Sequence, residues 1–392
     1  MHLFINGLAA SAGGGITYLR NVLAQLAKRS EVRATLLARA ELRPEIASAE
    51  NLRFIDAPPG LGVLGRALYE QGQIRALVRQ SGAEVLLSAG NIALRNSPVP
   101  QILLSRNSLY TSSEFRRELR ARGEYRLLLD TWIKGRLAKR SINWADRTVV
   151  PSQAFARQLT EWSGQRVQAI HHGFDLEYFA NQKHHLPAAV QQQLDQTRGA
   201  VRLLCVSHYN YYRNFETTFR ALADLSRRGK NKRVVLVLTC MLDGKKDGDY
   251  STAGARGMVQ ELGIADQVVQ VGAVPYQSLH ELYRAGDVYV SAAYTETFAH
   301  PLVEAMASGL PVIASDLEVH REICGDAALY FPVYSSVELS HRISQVMESK
   351  EVAAKLAVEG RARAQTFSWQ RHVDELLSVA RELAKEASQG HQ

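Results

Sequence analysis

Three cysteines in 392 residues, Cys205, Cys240 and Cys324, are too few and too scattered for a disulfide framework or a Cys-x-x-Cys metal site. Two of them end β-branched runs, where a thiol packs as a small hydrophobe, so all three are expected reduced and structural. The chain also has no apolar run approaching the roughly 20 residues that cross a bilayer, although 46% of its residues are hydrophobic. Its opening residues, Met1-His2-Leu3-Phe4-Ile5-Asn6-Gly7, carry neither a basic leader nor an apolar stretch of signal-peptide length. The expectation is a soluble, cytoplasmic protein. Helix-turn-helix, zinc and aromatic RNA-binding signatures are missing as well, which argues against nucleic acid as the partner of a chain with net charge +8. Phosphates of a small substrate, or an acidic lipid surface, suit that charge better.

What is present is a repeating alternation. Short apolar runs exchange with amphipathic segments of helical period, as a parallel sheet covered by helices on both faces requires. The first half predicts strands at residues 3–6, 34–38, 52–55, 84–88, 101–105, 148–151 and 167–170. The second half predicts them at 201–206, 234–239, 268–271, 288–291, 311–314 and 328–331. Between residues 181 and 199 the pattern dissolves into Gln, His, Ala and Asp. Two doubly wound α/β domains, 1–183 and 200–366, are therefore expected, joined by a linker at 184–199. Open α/β sheets bind ligands beyond the carboxyl ends of their strands, so the expected site lies at those ends, in a crevice between the domains.

Two stretches there can carry chemistry. After the first strand, Ala12-Gly13-Gly14-Gly15-Ile16-Thr17 leads into a helix, and such glycines let backbone N–H groups approach a phosphate at a helix N-terminus. A tight strand-to-helix turn explains the same glycines equally well. More specific is the stretch from Ser291, in which Glu296 lies on a loop and Glu304 follows near the start of a helix that begins about Pro301. Two carboxylates so placed accept hydrogen bonds from sugar and ribose hydroxyls, and the N–H groups of Thr297, Phe298 and Ala299 can meet a diphosphate.

Glu296, seven intervening residues, then Glu304-Ala305-Met306-Ala307-Ser308-Gly309-Leu310-Pro311-Val312 resembles the hallmark of the retaining GT-B glycosyltransferases of family 4, or group 1. Val150-Pro151-Ser152, Ile170-His171-His172-Gly173-Phe174-Asp175 and the stretch from His320 to Phe331 resemble further signals of that family. The resemblance implies a GT-B fold of two Rossmann-like domains: acceptor-binding at 1–183, nucleotide-sugar-binding at 200–366, and a C-terminal helix at 367–392 that crosses back to the first domain. It implies transfer of a sugar from a nucleotide-sugar donor to a glycan or lipid-linked acceptor, with retention and without a divalent metal or other cofactor. By position, Glu296 contacts the donor sugar, and Glu304 the ribose. His208 and Arg213 stand where the family has an Arg and a Lys that neutralise the departing diphosphate.

Gly14, Gly15, Asn214, Thr297, Phe298, Ala299 and His300 complete the expected donor side, and Arg106 and Asn107 the acceptor side. Thr297, Ala299 and His300 depart from the family's usual Gly, Gly and apolar residue, and His208 from its Arg. A non-catalytic sugar-nucleotide- or glycan-binding scaffold on the same fold is the competing reading. Asp247-Gly248-Asp249 lies in a polar loop and reads as surface rather than as a metal site. Residues 114–147 hold ten Arg or Lys against five Asp or Glu, interleaved with Leu127, Leu128, Leu129, Trp132, Ile133 and Leu137. That pattern suits either a solvated helix or peripheral contact with an acidic membrane face.

Overall fold

The computed structural model describes residues 1–10, 14–46, 48–176, 179, 184–229 and 233–389. Ala12 and Gly13 of the glycine-rich turn, and residues 181–183 at the edge of the expected linker, lie outside this set. The chain divides into two compact units. One comprises Met1–Thr111, Leu128–Gly173 and Ser368–Gln392; the other comprises Ser112–Leu127 and Phe174–Phe367.

The first unit is built on seven parallel strands: β1 His2–Asn6, β2 Arg33–Ala38, β3 Leu52–Asp56, β4 Val85–Ser88, β5 Gln101–Leu104, β6 Arg147–Val150 and β7 Gln168–Ala169. Their order in the sheet is β3-β2-β1-β4-β5-β6-β7. β1, β4 and β5 are buried along their whole length, as central strands covered on both faces must be. The helix Gly14–Leu26 lays Tyr18, Leu19, Val22, Leu23 and Leu26 on this sheet, an i, i+1, i+4, i+5 stripe. The helix Trp369–Gln389 adds Val373, Leu376, Leu377, Ala380 and Leu383 to the same core.

The second unit has a six-stranded parallel sheet and a small hairpin. The strands are β8 Val201–Cys205, β9 Val234–Leu238, β10 Lys246–Asp247, β11 Tyr250–Ser251, β12 Val268–Gln270, β13 Val288–Ser291, β14 Val312–Ser315 and β15 Ala328–Phe331. The sheet order is β12-β9-β8-β13-β14-β15, and β10 pairs only with β11. Both sheets thus reverse direction beside their first strand, between β1 and β4 in one and between β8 and β13 in the other. That reversal opens a crevice at the strand ends. Cys205, Cys240 and Cys324 are free and buried.

Two features depart from the sequence expectation. The β10–β11 hairpin was not foreseen, because strands of two residues carry no periodicity. Ser112–Leu127 was assigned to the first domain, yet it packs with the second unit. The physical reason is Phe115, fully buried there against Tyr212 and Tyr250, with ring centroids 6.5 and 6.4 Å away.

Candidate active site

Two adjacent strands of the second unit deliver the site. β8 runs parallel to β13, with Leu203 opposite Val288 and Leu204 opposite Tyr289. The chain leaving β8 makes a 3-10 turn, Tyr211–Arg213, capped by the Asn210 side chain, which accepts from the Arg213 N–H at 3.1 Å. The chain leaving β13 carries Glu296. The two segments are stitched together: Tyr294 N–H donates to the Tyr212 carbonyl at 3.0 Å, and the Asn214 amide donates to the Ala292 carbonyl at 3.1 Å.

Across this seam an Arg213 Nη1 donates to Glu296 Oε2 at 2.5 Å. Both side chains are mostly buried, 17% and 12% exposed. Burial alone pushes the Glu296 carboxyl up; Arg213 and the Thr297 N–H more than offset it and leave it below the ordinary range. Burial works against the Arg213 charge, and Glu296 holds the guanidinium above its ordinary value. Arg213 Nε is buried without a hydrogen-bond partner, so this guanidinium keeps a donor for an incoming acceptor atom.

Glu304 belongs to a different environment. It lies in the second turn of the helix His300–Ala307, not the first as its spacing from Pro301 suggested, because the helix opens one residue earlier. It therefore faces inward, 8% exposed, and takes a 2.7 Å hydrogen bond from Tyr283 O–H. Burial pushes its carboxyl up to about 7 against the effect of that bond. Sequence reasoning missed Tyr283, whose only signal is its place beside Leu282 in the short segment Leu279–Arg284, a helix ahead of β13.

The loop before this helix differs from expectation in one contact. The Thr297 N–H was expected to meet a ligand, but it donates to Glu296 Oε1 at 3.0 Å and so orients that carboxylate. Phe298 is buried and packs on Phe367 and on the half-buried His300 ring, centroids 5.4 and 4.8 Å away. Ala299 caps the helix in the left-handed region, φ 66° and ψ 61°, a conformation natural to glycine and costly for alanine. Gly309 ends the same helix at φ +74°, and a Cβ there would meet the Arg361 guanidinium at 1.9 Å. The left-handed backbone is what requires the motif's glycine here, since the guanidinium ends a flexible side chain that can move aside.

Other expected residues fall elsewhere. The His208 ring is exposed and makes no hydrogen bond among the described residues, while its carbonyl accepts from Ser207 and Asn210. The Asn214 amide is spent on Ala292 and Thr217, so it braces the seam. Asp247 accepts from the Tyr209 N–H at 3.0 Å, and the described residues contain no cluster of three His, Cys, Asp or Glu able to hold a metal. His320, which opens the late stretch noted in the sequence, is fully buried beside the site, and its Nδ1 meets the Ser315 carbonyl at 2.8 Å.

In the first unit, Gly14 opens the helix at the end of β1, and Gly15 lies so close to Ala10 that a Cβ would come within 3.1 Å of its Cα. Arg106 donates to the Gly14 carbonyl at 2.9 Å and to the Ala89 carbonyl at 3.2 Å, and lies 4.9 Å over the Tyr18 ring. It thereby ties the glycine turn to the end of β4. Asn107 caps the 3-10 turn Ser108–Tyr110 through the Leu109 N–H. A cavity of about 310 Å³ opens beyond β1, β2 and β3, lined by Arg39, Glu41, Asp56 and Arg66 among others.

Two parallel sheets with reversal points, an Arg–Glu pair at one of them and a second buried glutamate eight residues on are the arrangement that the resemblance to GT-B glycosyltransferases implies. Comparison with known families agrees. Residues 12–178 match the model described as Glycosyltransferase Family 4, and residues 190–363 the model described as Glycosyl transferases group 1. The chain belongs to the group 1 glycosyltransferases of the GT-B fold.

Among curated relatives, a D-inositol 3-phosphate glycosyltransferase of Nocardiopsis dassonvillei is 28% identical over 94% of this chain and 90% of its own length. One of Saccharomonospora viridis is 30% identical over 61% of this chain, and the match spans only 56% of that relative. Among solved structures, sucrose-phosphate synthase of Thermosynechococcus elongatus superposes with TM-score 0.74 at 21% identity, covering 97% of this chain and 98% of that one. Anabaena HepE in complex with UDP-glucose gives 0.70 at 18%, covering 97% and 100%. At such identities the structural likeness speaks for the fold alone.

Proposed function

We propose that the protein is a retaining, metal-independent glycosyltransferase that moves a sugar from a nucleotide-sugar donor to a glycan or lipid-linked acceptor in polysaccharide or glycolipid assembly. The observation that carries this reading is the buried Arg213–Glu296 pair at the reversal point between β8 and β13. In the reaction the bond from the anomeric carbon to the diphosphate oxygen breaks, positive charge grows on the sugar and negative charge on the leaving group. A fixed guanidinium in a water-poor site stabilises that negative charge far better than solvent does. Arg213 has such a position and a free Nε–H, and its partner Glu296 holds it in place until the donor arrives. Glu296 then has its carboxylate available to the sugar, and Glu304 accepts from ribose hydroxyls. Same-face attack by the acceptor hydroxyl, which surrenders its proton to the departing phosphate, gives retention.

The names of relatives support the substrate classes. HepE was solved in complex with UDP-glucose, and the Nocardiopsis relative is named for transfer to an inositol phosphate. An Escherichia coli O-antigen chain mannosyltransferase B is 32% identical over 100 residues, 26% of each chain. Glycan assembly on the cytoplasmic side of a membrane fits the helix Tyr125–Ile142, which buries small residues and turns Leu129, Trp132, Ile133 and Leu137 outward beside Arg136, Lys139 and Arg140.

The test is nucleotide release from a panel of UDP-, GDP- and ADP-sugars, with crude membrane lipid as acceptor. Wild type should release nucleotide from one donor, unaffected by EDTA, and Glu296→Ala and Arg213→Ala should lose at least a hundredfold in rate. NMR of the product should show the donor's anomeric configuration. Nucleotide binding without release from any donor favours the scaffold reading, and an inverted product removes retention.

A further inference from the structure

Arg213 can stabilise a leaving group only if its guanidinium is held still, yet it sits on a three-residue 3-10 turn, too short to be rigid unaided. What holds the turn is its other two residues, Tyr211 and Tyr212, and both are gripped from outside the sheet.

One grip is the hairpin: Tyr250 packs edge-on to Tyr211 with centroids 5.0 Å apart, and the Ser251 N–H donates to Tyr211 O–H at 3.0 Å. The other is the segment Ser112–Leu127, which reaches this unit from the first half of the sequence. Its helix Ser113–Ala121 is capped by the Ser112 side chain and drives Phe115, wholly buried, edge-on between Tyr212 and Tyr250. Arg122 stacks 4.2 Å over the Tyr211 ring while pairing with Glu118 at 2.6 Å and Glu216 at 2.7 Å. Glu124 accepts from Tyr211 O–H at 2.9 Å. A flexible turn is thus caged by one hydrocarbon anchor, one cation stacked on a ring, and two hydrogen bonds on a single hydroxyl. Because the Tyr212 carbonyl also takes the Tyr294 N–H, two residues from Glu296, the cage fixes the turn and the glutamate loop together.

The geometry points to Phe115 and Arg122 as positioning residues for the proposed reaction: the segment Ser112–Leu127 clamps Tyr211 and Tyr212 and thereby sets the Arg213–Glu296 pair in its productive place. This rests on the reading of Arg213 as the leaving-group cation. Neither side chain needs to touch substrate, and neither belongs to the motif that identifies the family.

The variants are Phe115→Leu, which keeps an apolar anchor but loses the ring edge, and Arg122→Lys, which keeps a cation beside the mostly buried Glu216 but loses the planar fork and stack. Each is made in the wild-type and in the Arg213→Lys background. With the donor found by the panel above, kcat and KM are measured beside thermal melts; calorimetric Kd values for UDP, GDP and ADP give the same comparison without turnover. The expected result is a kcat lower by about tenfold in the wild-type background, since sub-ångström misplacement suffices for that, with melting nearly unchanged. In the Arg213→Lys background the same substitutions should add little, because the fork they position is already gone.

An equal drop in both backgrounds, or no drop in wild type, overturns the clamp. If Arg213→Lys alone leaves kcat and nucleoside diphosphate affinity at wild-type values, the reading of Arg213 fails first, and the clamp with it. If Arg213→Lys is impaired while Phe115→Leu and Arg122→Lys are not, only the clamp falls.

Discussion

A carboxyl group buried like Glu304, with a tyrosine hydroxyl beside it and, among the described residues, no cation bonded to it, is costly to ionise, and the cost depends on pH. Its native pKa, pushed up to about 7, lies above the ordinary carboxylate value of 4.5. Between those two values the folded chain holds a proton that the unfolded chain has released. Stability contributed by this group therefore falls as pH rises through that window, and the penalty is complete above it. Glu304→Gln keeps an acceptor for Tyr283 O–H and abolishes the ionisation. It should melt close to wild type at pH 4.5 and be more stable at pH 8, by on the order of 2–3 kcal/mol. Equal melting differences at both values would remove the raised pKa. Ala299 offers a second test, since its left-handed φ of 66° is paid for in strain. Ala299→Gly should stabilise by about 1 kcal/mol in a denaturant titration, and a destabilised variant would mean its buried methyl matters more.

At the scale of elements, the strands of the two large sheets were legible because they recur as short apolar runs bounded by turns and alternating with helical segments; β7, only Gln168–Ala169, was found through the wider run 167–170 around it. The sequence did not reveal the placement of Ser112–Leu127, since amphipathicity shows that Phe115 must be buried but not against what. Within the candidate site, Glu296 and Glu304 were marked by their spacing and Arg213 by its place in the family resemblance, whereas Tyr283, Tyr211 and Tyr212 became visible only once the strands were side by side. His208 had positional support alone, and its exposed ring gives it no bond to the others. The helix Trp369–Gln389 shows what periodicity does convey: its stripe of Val373, Leu376, Leu377 and Leu383 is almost wholly buried in the first unit. Leu376→Ala should cost about 3 kcal/mol. Against the first residue of this helix, Gly173 admits no side chain, since a Cβ would lie 2.0 Å from the Trp369 nitrogen. Gly173→Ala should accordingly lower the melting temperature more than Gly14→Ala, where a Cβ meets nothing within 4 Å.

For the molecule as a whole, residues 114–147, with ten Arg or Lys against five Asp or Glu, carry a net +5 of the chain's +8. Among the described residues no helix is long and apolar enough to cross a membrane, so contact would be peripheral, through the outward stripe of Tyr125–Ile142. Flotation with phosphatidylglycerol vesicles should carry the protein at low salt, weaken as salt screens the surface, and be lost when Arg136, Lys139 and Arg140 are replaced by Gln. Equal flotation of that triple variant would sink the membrane reading.

The first unit closes its core with residues that follow the second unit in the chain. On the ribosome, therefore, the order of synthesis is not the order of completion. The sheet begun at His2 must wait with the face around Tyr18 and Leu23 uncovered until residues 369–389 emerge, long after the second unit has all of its strands. A nascent chain halted with Phe367 clear of the ribosome but residues 369–389 still inside it should accordingly hold one finished unit and one protease-sensitive, chaperone-binding unit, and the finished one should be that which began later.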